Sequence, residues 1–205
     1  MAKCGAAYIF TETDVLGEWG QADKIVADDK AAYNYFGFSV SISDRVLLIG
    51  APFAAPDGLF EVGCAYVFIE TDGTWSQAAK FDGEATLDRF GSSVSISDRV
   101  LVVGAWLANP YGIADAGTVY LFTETTPGSG VWSQEAEFHG VEANDHFGYS
   151  VSISDGILLI GAYGANTHGM SAGAAFLFTE IVPGVWGQVL KITAEDKAHA
   201  DGFGW

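Results

Sequence analysis

Carboxylates are the reactive side chains this sequence holds in quantity, and they cluster. Asp28 and Asp29 form one group, Asp82, Glu84 and Asp88 a second, Glu142 and Asp145 a third, and Glu195, Asp196 and Asp201 a fourth. Several carboxylates around one glycine turn can wrap a hard cation. Two of them ~5–10 Å apart across a cleft can act as general acid and base on a glycosidic bond. An acidic field without either geometry attracts basic partners or keeps a surface solvated. With 26 acidic residues against 9 basic ones the formal net charge is −17, which argues against nucleic acid and anionic membrane surfaces as partners, since both demand a basic patch.

Other chemistry is sparse. His139, His146, His168 and His199 show no metal-ligand spacing, and none is paired with a cysteine or with a second histidine four residues away. Serines are abundant, but no Gly-x-Ser-x-Gly turn accompanies them. Cys4 and Cys64 are too few for a disulfide framework, and Cys64 shares its place in a repeated pattern with Ala6, Thr118 and Ala174, the mark of a small packed residue. No cofactor is expected, and an active site is expected only if residues of several units converge on a common axis.

The elements that would position these groups are written as repeats. Phe-Gly-x-Ser-apolar-Ser-Ile-Ser-Asp begins at Phe36, Phe90 and Phe147, and a fourth copy opens at Phe203-Gly204-Trp205. A second phrase starts at Trp19, Trp75, Trp132 and Trp186, and a third, aromatic one spans Ala7–Glu12, Ala65–Glu70, Val119–Glu124 and Ala175–Glu180. A fixed period of about 56 residues signals stacked supersecondary units.

Each phrase reads as a strand. Phe38, Val40 and Ile42 alternate with Ser39, Ser41 and Ser43, which puts serines on one face and large apolar groups on the other. The serines, Ser41, Ser95 and Ser152 among them, are small enough to pack inward and let neighbouring sheets approach. After a polar turn come apolar runs, Val46–Ile49, Val100–Val103 and Ile157–Ile160, which fit a strand covered on both faces. The aromatic phrase supplies a third strand and the tryptophan phrase a fourth, with Trp19, Trp75, Trp132 and Trp186 as packing aromatics between units. The fold class predicted is all-β, a β-propeller arc of four-stranded antiparallel blades, about three and a half in this chain. Residues 1–35 form a partial blade of third and fourth strands, 36–89, 90–146 and 147–202 are blades, and 203–205 start another. A hydrophobic content of 49% against 17% charged residues and 26 glycines suits many short buried strands and tight turns. A sandwich is the minor alternative.

Phe36-Gly37 followed by Gly50-Ala51-Pro52 resembles the FG-GAP repeat, the blade unit of the N-terminal propeller of integrin alpha subunits and of many bacterial and algal proteins. Gly104-Ala105-Trp106 and Gly161-Ala162-Tyr163 relax the last position. The integrin form often carries an Asp-x-Asp-x-Asp-Gly calcium loop between the two motifs. Here that hairpin offers only Asp44, Asp98 or Asp155, so the chain looks closer to the calcium-free microbial and algal form. The resemblance implies an extracellular or cell-surface setting and a loop face that contacts protein partners. It also implies a seven-bladed ring, so an arc of this length is expected to belong to a longer propeller or to have its open ends covered in an assembly. Met1-Ala2-Lys3 runs directly into the first repeat strand, so any targeting segment of a secreted protein is expected to lie outside this sequence, and no apolar stretch reaches the ~18 residues of a membrane helix.

Variation among the repeats concentrates in the connection from second to third strand and in the acidic connection from fourth strand to the next first strand. In an up-and-down blade both emerge at one end, giving a face that is aromatic and acidic together, as a protein-binding surface would be. The candidate contact residues are Phe53, Asp57, Phe60, Glu61, Trp106, Tyr111, Asp115, Tyr163 and His168. The function expected is a non-enzymatic interaction or adhesion scaffold. The alternatives are an accessory subunit of a larger assembly and a carbohydrate-active or hydrolytic propeller.

Overall fold

The computed structural model describes residues 4–29, 31–166, 171–196 and 201–205. Its strands form one two-stranded and three four-stranded sheets. The first sheet pairs β1 (Ala7–Glu12) with β2 (Trp19–Ile25). The second runs β3 (Ser39–Ser43), β4 (Val46–Ala51), β5 (Cys64–Thr71) and β6 (Thr74–Asp82). The third runs β7 (Ser93–Ser97), β8 (Val100–Ala105), β9 (Thr118–Glu124) and β10 (Trp132–His139). The fourth runs β11 (Phe147–Ser154), β12 (Ile157–Ala162), β13 (Ala174–Val182) and β14 (Val185–Ile192). Every pairing is antiparallel between sequence neighbours, so each sheet is an up-and-down meander. The third and fourth strands of every sheet slip register at one recurring place, for example between Val67 and Phe68 and between Leu177 and Phe178. Such a bulge adds local twist to the outer part of a blade.

The sheets stack face to face, and the period of two decides which residues meet. Leu101 and Val103 of β8 point toward the preceding sheet, where Leu48 and Val67 come to meet them, while Val102 points the other way and joins Leu158 and Ile160. A third core joins Ile25 and Ala27 to Leu47, Ile49, Tyr66 and Phe68. The interior is thus three apolar layers, each shared by two sheets and each closed by the hydrophobic effect only when both are present. Aromatic rings cross the seams as well: Phe81 stacks on Phe122 at 4.2 Å and Phe138 meets Phe178 at 4.6 Å.

The serine strands lie at the inner edge, where neighbouring sheets approach most closely. Ser39 donates to the carbonyl of Gly91, Ser93 to Gly148 and Ser150 to Gly204, at 2.7–3.0 Å. Ser41 and Ser95 accept from the backbone N–H of Ile96 and Ile153. Both act inward, as their alternation predicts. Ser152 differs: it is exposed, because no described first strand lies beyond it.

These contacts also explain why Phe-Gly and Gly-Ala travel together. A Cβ on Gly50 would stand 1.9 Å from the Gly91 carbonyl oxygen, one on Gly104 2.1 Å from that of Gly148 and one on Gly161 2.0 Å from that of Gly204. The Gly-Ala of one blade is therefore the seat of the Phe-Gly of the next. The phenylalanine packs back into its own blade, as Phe90 does edge-on against Tyr120 and Phe122. Phe36, Phe90 and Phe147 are all buried.

Candidate functional site

Two connections meet at one end of each blade, as an up-and-down meander requires. Backbone bonds tie them together: Leu87 and Arg89 donate to Phe60 and Glu61, and Asn144 and His146 donate to Ala114 and Asp115. The residue just before Phe-Gly is held at left-handed φ in each repeat, at Tyr35 (55°), Arg89 (56°) and His146 (54°). Non-glycine residues adopt that conformation only at a cost. The effect is to turn these three side chains out of the loop and across the end of the stack.

There they join two further repeat positions, the residue after Phe-Gly (Phe38, Ser92, Tyr149, Trp205) and the residue after Gly-Ala (Pro52, Trp106, Tyr163). The result is a continuous aromatic seam. Phe53 contacts Tyr35 at 4.8 Å and Phe38 at 6.2 Å. The Arg89 guanidinium lies 4.7 Å from the Phe53 ring and 5.9 Å from Trp106, a pairing favoured by the negative ring face. Trp106 meets His146 at 5.0 Å and Tyr149 at 5.4 Å, His146 stacks on Tyr163 at 4.8 Å, and Trp205 closes on Tyr149 and Tyr163. Two concavities open along the seam. One of about 250 Å³ is lined by Phe38, Phe53, Arg89, Trp106 and Tyr149, and one of about 430 Å³ by His146, Tyr163 and Trp205.

Charge is controlled locally. Glu61 accepts from Arg89 Nη2 at 2.8 Å and Nε at 3.1 Å, so the cation is oriented as well as balanced. Burial holds the His146 imidazole below its usual range against the opposing pull of Asp115, which keeps it a neutral stacking ring.

The structure brings Phe53, Glu61, Trp106 and Tyr163 into this seam, and Asp115 borders it through its field on His146 and Tyr163. Asp57, Phe60 and Tyr111 lie farther out. Asp57 and Tyr111 occupy the same place in two short turns, Pro56–Gly58 and Pro110–Gly112, both at left-handed φ. Tyr111 is 86% exposed and lies edge-on to the ring of His139, at 5.2 Å. His168 lies outside the described residues. Tyr35, Phe38, Arg89, His146, Tyr149 and Trp205 escaped the sequence reading. The signal for them was present: each flanks the invariant Phe-Gly and changes from repeat to repeat.

Acidic residues divide in two. Asp88 and Asp145 are buried and accept backbone N–H groups of Ala85, Val141 and Glu142. They brace the connection and do not face a partner, a correction to the reading of that whole loop as surface charge. Burial raises both carboxyls. Lys80 bridges Asp29 and Asp82 at 2.8 and 3.0 Å, and the Cys64 thiol donates to Asp82. Burial, with Asp82 beside it, pushes that thiol up to about 12, so it stays protonated and unreactive at neutral pH. No three His, Cys, Asp or Glu side chains converge as metal ligands among the described residues, and no described helix is long and apolar enough to cross a membrane.

Blades that stack through shared apolar layers, meet along their first strands and carry their variable loops at one end define a β-propeller arc. The chain belongs to the FG-GAP repeat family, whose pattern matches residues 19–68, 75–122 and 132–178. Each match runs from the fourth strand of one sheet to the third of the next, so the family unit spans a seam between blades. No curated protein matches the chain.

Proposed function

We propose that this FG-GAP propeller is a scaffold that binds a protein partner through its loop face, at the aromatic seam around Arg89. One observation carries the reading. The variable positions that flank Phe-Gly and Gly-Ala converge in space, while the frame beneath them repeats. Packing explains the frame, but it does not explain why Trp106 and Tyr163 stand where Pro52 stands, or why Tyr111 points into solvent. Aromatic and arginine side chains in shallow concavities are the groups that dominate protein interfaces, and surrounding carboxylates favour a partner with basic residues at the rim. The inner strands, by contrast, present serine hydroxyls and aliphatic side chains, so the carboxylate pair of a glycosidase has no support there.

The test is quantitative enrichment of bound proteins on the immobilised chain, comparing the natural sequence with Trp106→Ala and with Asp98→Ala at the opposite end of the stack. Trp106→Ala is expected to lower specific partner recovery at least tenfold, the effect of losing a hot spot worth about 2 kcal/mol. Asp98→Ala is expected to leave it unchanged. Equal recovery with all three proteins overturns the reading.

A further inference from the structure

The concavity around Arg89 has a one-sided hydrogen-bonding character. Its walls are rings set crosswise, with Phe38 at 69° to Phe53 and Trp106 at 73° to Tyr149. Edge-to-face contacts of this kind leave ring faces turned to the opening, where stacked rings would close it. Donors converge on the same space. Arg89 bonds Glu61 through Nε and Nη2, which leaves its Nη1. That group, the Trp106 indole N–H and the Tyr149 hydroxyl make no hydrogen bond among the described residues, and none of the three is sealed from solvent. Acceptors are scarce: the lining holds no carboxylate or amide side chain, and the Ser92 hydroxyl is committed to the Gly104 carbonyl.

We infer that this concavity receives a proline-rich segment of the partner in the polyproline II conformation, with lysine or arginine beside the prolines. The inference rests on the loop face being the partner surface and adds the partner's chemistry. A site with donors, open ring faces and few acceptors calls for a ligand with acceptors, apolar rings and no donors. Proline meets all three conditions: its backbone has a carbonyl and no N–H, and its ring docks in aromatic-lined grooves. An ordinary extended segment brings one N–H for every carbonyl, and each would be desolvated here without a partner. The hydroxyls of a sugar carry the same penalty. An anion would meet a guanidinium already balanced by Glu61, on a chain of net charge −17. That charge, with Asp57 and Asp115 on the surrounding loops, complements the flanking basic residues. The seam is shallow, so it favours a ligand that loses little freedom on binding, and polyproline II is ordered beforehand.

The direct experiment titrates two labelled peptides of equal length and charge onto the full chain: two lysines followed by eight prolines, and two lysines followed by eight alternating glycines and serines. Saturable binding of the proline peptide is expected, at least about tenfold tighter than the control. Trp106→Ala should weaken it at least about tenfold. Trp106→Phe, which keeps a ring and removes the N–H, should weaken it at least about threefold. The same repeat position holds Pro52 and Tyr163, so the frame admits both changes, and circular dichroism checks that it does. Asp98→Ala should bind as the natural chain does. Equal binding of the two peptides would mean attraction by charge alone and overturns the inference. So does a proline peptide that binds Trp106→Ala as tightly as the natural chain, or one that shows no saturation up to about 1 mM. In that last case, a loss of partner recovery with Trp106→Ala would leave the loop face as the surface for a partner of other chemistry, and unchanged recovery would overturn the loop-face reading as well.

Discussion

The hydroxyl of Ser93 donates a 2.7 Å hydrogen bond to the carbonyl of Gly148, 55 residues on and in the next blade. Beside it the Cα of Gly104 faces the same carbonyl so closely that a Cβ would stand 2.1 Å from the oxygen. Small residues at both positions let two sheets approach to hydrogen-bonding distance at their inner edge.

Gly104→Ala is therefore expected to cost at least about 3 kcal/mol, because backbone must move to admit the methyl group. Ser93→Ala should cost about 1 kcal/mol, one hydrogen bond and a less satisfied carbonyl. Gly112→Ala, where nothing stands within 4 Å but φ is +78°, should lose only the roughly 1 kcal/mol of left-handed strain. Urea denaturation of the three variants ranks these effects, and a Gly112→Ala loss equal to that of Gly104→Ala contradicts the steric account.

Phe90 is the deepest aromatic of its layer, 2% exposed and edge-on to Tyr120 and Phe122. Phe90→Ala should lower stability by roughly 3–5 kcal/mol. An unchanged denaturation midpoint would refute its place in the core.

The frame was legible in the sequence because it depends on period. Alternating serines set the inner edge, unbroken apolar runs gave the doubly covered second strands, and Phe-Gly with Gly-Ala marked the seams. The tryptophans were legible only on average. Trp132 is 9% exposed and packs toward the preceding blade, whereas Trp19, at the same repeat position, is 67% exposed. Sequence position cannot show whether a neighbouring blade is there. The seam was half legible for a related reason. Trp106 and Tyr163 could be chosen as variable residues, but Arg89 and His146 reach them only because a left-handed backbone turns them across the blade end. Asp88 and Asp145 looked like surface charge, since nothing along the chain shows that the loop closes over them.

Those two carboxyls make the stability pH-dependent. Burial raises each above its ordinary value, with backbone hydrogen bonds working against the shift. The folded chain holds these protons more tightly than the unfolded chain. Their contribution is thus fully present below the unfolded value, about 3.9, and is lost as pH rises through the raised one. Asp88→Asn with Asp145→Asn keeps an acceptor oxygen for the loop and removes the buried charge. The double variant should melt higher than the natural chain at pH 7 and no higher at low pH. A lower midpoint at pH 7 contradicts the burial argument.

His146 acts in a different window with the opposite sign. Burial lowers its pKa, opposed chiefly by Asp115, so the unfolded chain takes up the proton first and stability should fall as pH drops below about 6.5. His146→Phe keeps the ring against Tyr163 and should flatten that decline. A calorimetric profile from pH 7 to 5 that is identical in both proteins would contradict it.

The central claim is that the loop face holds the partner, and it is tested most directly by site-specific photo-crosslinking. A photoreactive phenylalanine replaces Tyr111, which projects from the loop end of the stack, or Asp98 in the strand hairpin at the other end. Partner adducts are expected from position 111, reduced when Trp106→Ala is added, and none from position 98. Adducts from position 98 with none from position 111 would place the binding surface at the wrong end of the propeller and contradict the account.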